Sequence, residues 1–249
     1  MNNEKQPQKK GVHIMNEKGL TPAVCCTLAF LTAGTILRAD IKVTAVKGSV
    51  YVRHNVQEQW VSVSPGDLLK PDDSMKSGRK SSATVLIDDK TAVIMPEQAI
   101  IDMADLRTLT KEELLLKLAM ERIRSVPDKS GDDELSIPRT TTIHGSNMDQ
   151  HAAAGAVDPE MGTMRMKGTE VLFGNGFYET GILKAKELFR LYPDLSGRIN
   201  DRLMVAKALE ALRLKGEAME EYIQLGKAQL TDEQRTAVTK RLELLKGER

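Results

Sequence analysis

Aromatic residues are scarce in this chain, and its positive and negative charges nearly cancel. Phe, Trp and Tyr make up 4% of the 249 residues, which argues against an extended aromatic platform for stacking sugars or bases. Lys and Arg number 36, against 35 for Asp and Glu. The chain therefore has no excess of positive charge of the kind that neutralises nucleic-acid phosphates, and we expect no nucleic-acid partner.

Cysteine is nearly missing, and the two that occur, Cys25 and Cys26, lie in an apolar stretch near the N-terminus. A chain that loses this stretch has no disulfide framework, no cysteine zinc site and no thiol nucleophile. The residues just before Cys25 fit the small, apolar motif for lipid attachment poorly. The sequence also shows no histidines at metal-ligand spacing. We expect no metal, no cofactor and no enzymatic activity.

An uncharged segment, residues 22–37, follows a polar start that contains several lysines. A basic start, an apolar core and a small residue at the exit are the parts of a secretory signal. Residues 1–39 therefore predict export, with cleavage between Ala39 and Asp40 or, alternatively, retention as a membrane anchor. A core helix of a cytosolic protein is a further alternative, and Met15 is an alternative start. Any membrane association is expected through this segment alone.

Short alternating runs separated by turn residues fill 40–105 and predict a small all-β domain of about seven strands. The expected turn positions are Gly48, Gly66, Asp67, Gly78 and Asp88. Glycine accepts a positive φ, and aspartate side chains bond to nearby backbone amides. Alternation points Trp60 toward the core, where we expect it to be an anchor.

Several segments of the β domain follow one another in a recognisable order. They are 46–52 with Gly48 and Val50, then Trp60, 65–69 with Gly66 and Asp67, 73–78 with Gly78, and 82–89 with Asp88. This series resembles the FecR-type periplasmic domain. The resemblance implies a β domain outside the cytoplasm that contributes to envelope signalling.

FecR proteins pass a signal from an outer-membrane receptor to a sigma factor, using a cytoplasmic domain that precedes one transmembrane helix. Here only residues 1–21 precede the apolar segment, too few for a folded domain. We therefore expect a stand-alone exported FecR-domain protein, with a membrane-anchored FecR-like regulator as the alternative.

Residues 106–126 predict one amphipathic helix, which begins at a capping box formed by Thr110 and Glu113. We expect it to cover a face of the β domain, with partner binding as the alternative. Residues 127–161 are rich in Asp, Ser, Gly, Thr and Pro, a composition typical of a disordered linker.

Helical periodicity returns over 162–249. This part resembles a degenerate tetratricopeptide repeat, and the residues that carry the resemblance are Gly176, Tyr178, Gly181, Ala185 and Pro193. The resemblance implies paired helices and a protein-binding groove. Three cations on one predicted helix, Lys184, Lys186 and Arg190, suggest a solvated face.

These patterns predict an α+β multidomain fold: a β domain, a flanking helix, a linker and a C-terminal helical-hairpin domain. The function they favour is that of an exported, non-catalytic scaffold or sensor in the bacterial periplasm or envelope. Its partner would be an envelope protein or a glycan, with the helical tail as a protein-interaction module. A structural envelope protein that self-associates through its helices is the remaining alternative.

Overall fold

The computed structural model describes residues 41–55, 57–126 and 158–247. A β region comes first and a helical region follows, which confirms the predicted fold class. The predicted export segment, with its cleavage site between Ala39 and Asp40, lies outside the described residues. So does the predicted linker up to residue 157.

Within this part of the chain, eight strands form two four-stranded antiparallel sheets. The strands are β1 (Ile41–Lys47), β2 (Val50–Arg53), β3 (Val61–Ser62), β4 (Leu68–Leu69), β5 (Ser74–Ser77), β6 (Ser82–Ile87), β7 (Thr91–Met95) and β8 (Ile100–Asp102). The order is β4-β1-β6-β7 in the first sheet and β3-β2-β5-β8 in the second. A short 3-10 helix, Met103–Asp105, follows β8.

Strand alternation builds one core from both sheets. In β1, Ile41 and Val43 are buried while the residues after each of them are exposed. Val85 in β6 and Met75 in β5 join the same cluster. Burying one side chain of this size stabilises the fold by about 1.5–3 kcal/mol.

Strand β5 is the one that alternation does not predict, because its serines are buried. The Ser77 hydroxyl donates to the Pro96 carbonyl (2.5 Å) and accepts from the Ala99 amide (3.1 Å). The Ser74 hydroxyl donates to the Asp102 carboxylate (2.6 Å). Because these bonds satisfy the hydroxyls, burial costs little and polar residues occupy positions where the pattern expects apolar ones.

Seven helices are described. They are α1 (Lys111–Arg124), α2 (Pro159–Gly174), α3 (Tyr178–Leu191), α4 (Pro193–Ser196), α5 (Ile199–Ala211), α6 (Lys215–Gly226) and α7 (Asp232–Gly247). Both hydrogen bonds of the predicted capping box form between Thr110 and Glu113 at the start of α1. Helix α2 begins at Pro159, ahead of the predicted start of the helical region at 162.

Helix α1 packs on the helical region, so the prediction that it covers a sheet face is wrong. Leu114 and Leu118 are buried in one cluster with Ile182 of α3 and Val205 of α5. The opposite side of α1 carries Leu116, which is 64% exposed. The physical reason is that the apolar side of α1 finds its partner surface on α3.

Helix α2 joins the two regions. Leu172 of α2, with Phe177 just after it, is buried in the core of the β region. Gly168 lies so close to β8 that an added Cβ would overlap the carbonyl oxygen of Ile100. The helical region is therefore held to the β region by a packed interface as well as by the chain.

Candidate functional site

The outer face of the second sheet is half covered by α2 and half open. Register places Tyr51 opposite Lys76 and Lys76 opposite Ile100, in a row across β2, β5 and β8. Ile100 points outward yet is only 3% exposed, because α2 lies over it. Tyr51 and Lys76, further from α2, are partly exposed.

Trp60 lies on this open half and does not join the core, so its predicted role as a core anchor is wrong. The Lys76 ammonium nitrogen is 4.5 Å from the centroid of the Trp60 ring, and the Arg53 guanidinium carbon is 5.3 Å from it. The same ammonium is 5.9 Å from the Tyr51 ring. We call Tyr51, Arg53, Trp60 and Lys76 the cation–aromatic face.

The two cations of this face have no ion-pair partner among the described residues. The Arg53 Nε–H group is buried and donates no hydrogen bond among these residues. Burial and the positive charge of Arg165 lower the pKa of Arg53 from its ordinary value, although Asp102 acts in the opposite direction. The face therefore carries two positive charges that form no direct ion pair with the described residues, next to two aromatic rings.

A buried ion cluster lies beside this face, where β8 meets α2 and α3. The Lys184 ammonium is 3.1 Å from Asp102, 3.3 Å from Asp105 and 3.1 Å from Glu187. Arg165 reaches the same Asp102 at 3.1 Å. The cluster thus links the β region to two helices.

The cluster shifts the pKa values of its members in different directions. Burial by itself would raise the pKa of Asp102, but Lys184 and Arg165 hold it well below its ordinary value. Burial raises the pKa of Asp105 to about 6, with Lys184 opposing and the charge of Asp102 reinforcing the shift. Burial would lower the pKa of Lys184, but Asp105, Asp102 and Glu187 hold it well above the ordinary lysine value.

The prediction that Lys184 belongs to a solvated helix face is therefore wrong: its side chain is 13% exposed. Lys186 is partly exposed and contacts Glu221, and Arg190 contacts Glu121. The sequence pattern misses these pairings because helical spacing shows only neighbours on the same helix, whereas Lys184 lies 82 positions from Asp102.

A groove of about 290 Å³ opens on the helical region between α1, α3, α5 and α6. Its floor includes Leu118, Phe189 and Leu209, and eight charged side chains surround it, four of each sign. Burial, together with the positive charges of Arg202 and Arg122, lowers the pKa of Lys186 to about 8. Apolar floor and charged rim are a common combination where proteins hold peptides.

The repeat-like positions all fall at helix junctions or contacts. Gly176 has φ +81 just after α2, and Tyr178 starts α3. Gly181 approaches the Phe173 ring of α2 so closely that an added Cβ would lie 2.9 Å from it, and Ala185 is fully buried. Pro193 is the first residue of α4.

The turn positions predicted in the β region lie between strands. Gly48 and Gly66 have φ +75 and +101, and Asp88 has φ +50 in the turn between β6 and β7. The Asp67 carboxylate accepts a bond from the Ser64 amide at 2.8 Å. Gly78, the remaining predicted turn position, directly follows β5. Val50, a FecR-like position in a predicted strand, begins β2 and is buried in the core.

The described residues contain no group of three or more His, Cys, Asp or Glu side chains arranged to hold a metal ion. His54 pairs instead with the single carboxylate of Asp73, at 3.0 Å. In these same ranges, no helix combines the length and apolar character needed to cross a membrane.

Comparisons with known proteins yielded no similarity to build on. No protein-family model matches the chain, no curated protein matches it, and no solved structure matches its fold. The cation–aromatic face, the ion cluster and the groove are therefore the features from which we infer a function.

Proposed function

We propose that the chain is an exported, non-catalytic binding scaffold of FecR type in the bacterial periplasm or envelope. Its helical region recruits a protein partner, and its β region holds a second ligand. The observation that carries this proposal is the open groove between α1, α3, α5 and α6. The order of segments from Gly48 to Asp88 supports the FecR assignment, and the apolar segment at 22–37 supports export.

The groove favours binding over chemistry because most of its charged side chains form ion pairs with one another. Arg122 contacts Glu220, and both Lys186 and Arg202 contact Glu221. A general acid or base needs a free titratable group aimed at a substrate. Mutually neutralised charges around apolar residues instead suit a peptide segment that brings its own apolar anchors.

The packed interface between the regions decides how the groove is tested. Separating the regions would expose Leu172 and Phe177, which are buried in the β core, so the full chain must be used. Ser196 is exposed and lines the groove; a Ser196→Trp variant would fill it. Gln229, exposed after α6 and not part of the groove lining, gives the matched control Gln229→Trp.

In cross-linking with an envelope extract, we expect a protein that wild type and Gln229→Trp capture and that Ser196→Trp loses. Equal capture by all three variants would contradict groove binding. The export proposal has its own test, which is the mass of the mature protein. A mass that still includes residues 1–39 would favour the membrane-anchored regulator.

A structural, self-associating protein is the second candidate, and one stripe of α1 favours it. Leu116, Met120 and Ile123 recur at helical spacing on the side of α1 opposite Leu114, and Ile123 is 74% exposed. If α1 self-associates, light scattering shows dimers that the double variant Leu116→Lys, Ile123→Lys converts to monomers. A wild-type monomer at high concentration rejects this candidate.

A further inference from the structure

We infer that the cation–aromatic face binds an acidic polysaccharide, whose sugar rings stack on Trp60 and Tyr51 and whose carboxylates pair with Arg53 and Lys76. The inference deepens the proposed function by naming the ligand class of the β region. It rests on the proposed function only for the location of the protein in the bacterial envelope. The face lies on the β region, whereas the groove lies on the helical region.

The charge of the face is complementary to an anionic ligand. Arg53 and Lys76 lack an ion-pair partner in the described part of the chain, although carboxylates neutralise the neighbouring cations Arg165 and Lys184. The Arg53 Nε is both buried and without a bonding partner there. A cation that is partly removed from water gains more from an incoming anion than a fully solvated one does.

The spacing of the rings and cations also fits such a ligand. Lys76 lies 4.5 Å from the Trp60 ring and 5.9 Å from the Tyr51 ring, and Arg53 lies 5.3 Å from the Trp60 ring. A uronic acid unit has an apolar C–H face that stacks on an aromatic ring and a carboxylate at its edge. Both features of that unit find partners on this face.

The location on a sheet face decides against other polymers. The backbone groups of β2 and β5 are used in the ladder between them, so only side chains are offered, whereas an added peptide strand would pair at an edge such as β3. Two cations are too few for the phosphate spacing of a nucleic acid, and the net charge of the whole chain is +1.

The test uses Trp60, the single tryptophan, as a probe inside the site. The full chain is titrated with oligogalacturonate, with a neutral malto-oligosaccharide of equal length, and with polyglutamate of equal charge. We expect oligogalacturonate to change the Trp60 fluorescence saturably and the other two to do so at least about tenfold more weakly. Equal response to polyglutamate would show an acidic-peptide site and overturn the inference.

Charge variants provide the control. Arg53→Gln with Lys76→Gln should weaken oligogalacturonate binding about tenfold or more. Lys42→Gln with Lys47→Gln, which removes the same charge from exposed positions on β1, should leave binding unchanged. Circular dichroism verifies folding, and Lys76→Gln alone serves if the double variant is unfolded. Equal binding by both double variants overturns the inference, while groove-dependent capture of a protein would be unaffected.

Discussion

Asp102 and Asp105 are three residues apart and share one lysine, yet their carboxyl groups respond oppositely to the same cluster. Asp102 has Arg165 as a second cation and Ser74 as a hydrogen-bond donor, whereas Asp105 has Lys184 alone. At Asp105, burial is the largest influence on the pKa and, together with repulsion from Asp102 and Glu187, it outweighs the attraction of Lys184. The surroundings of Asp102 favour its ionised form, and those of Asp105 favour its neutral form.

This difference predicts a pH dependence at Asp105. Its pKa of about 6 in the folded state lies above the unfolded value, so between about pH 4 and 6 the folded state binds more protons than the unfolded state. The contribution of Asp105 to stability therefore falls as pH rises through this window. Asp105→Asn, which is always neutral, should match wild type near pH 4 and be equally or more stable at pH 7.

The control for that prediction is Asp102→Asn. The pKa of Asp102 is held low in the folded state, so its charge contributes stability that is present at neutral pH and lost only in acid. Asp102→Asn should therefore destabilise the protein at pH 7 by roughly 1–3 kcal/mol. Denaturant unfolding at several pH values measures both variants. A less stable Asp105→Asn at pH 7 would contradict the assignment.

At the level of single residues, the sequence predicts helix caps and turns better than it predicts contacts between residues that are distant in the chain. Thr110, Glu113 and Asp67 form the expected bonds because their partners lie within three residues. Trp60 and Lys184 differ from expectation because their surroundings come from other strands and helices. No periodicity within one element contains that information.

Among the elements, α2 makes the closest contact with the β region, and Gly168 is the residue that permits it. A side chain there would overlap backbone atoms of Ile100, which cannot rotate away as a flexible side chain does. We expect Gly168→Ala to lower the free energy of unfolding by about 2 kcal/mol or more, although alanine is the better helix former.

The same helix offers a matched control. Gly174 ends α2, and an added Cβ there meets nothing within 4 Å. Gly174→Ala should stay within about 0.5 kcal/mol of wild type in urea unfolding. Equal stability of the two variants would mean that α2 can shift away from β8 at no cost.

Most elements could be read from their patterns, and the exceptions have a common cause. The alternation of β1 and the helical spacing in α1 both predict real elements. Strand β5 and the packing surface of α1 were not predicted, because buried serines and a choice between two apolar surfaces depend on distant partners. Strand β1 (41–47), by contrast, can be predicted from its own alternation of apolar and polar residues.

At the scale of the whole molecule, the β and helical regions share buried surface. Leu172 and Phe177 complete the β core, while Lys184 and Arg165 bind Asp102 across the boundary. Neither region can unfold without exposing apolar side chains and unpairing buried charges of the other. We therefore expect one cooperative transition.

Two spectroscopic signals report on the two regions separately during one thermal unfolding experiment. Trp60 fluorescence reports the β region, and far-ultraviolet circular dichroism reports chiefly the helices. The two thermal unfolding curves should coincide in wild type. An earlier loss of helical signal in wild type would contradict shared stability, and such a separation is the result expected for Gly168→Ala.

Because α1 packs on α3, the parts of the chain before and after residues 127–157 are held together by noncovalent contacts as well as by the backbone. Helix α1 precedes residues 127–157, but its leucines are buried beside Ile182, which follows them. The polypeptides on either side of that stretch therefore interlock twice, through α1 on α3 and through α2 on β8. A gene divided within this stretch would encode two complementary fragments, each carrying surfaces that only the other can cover.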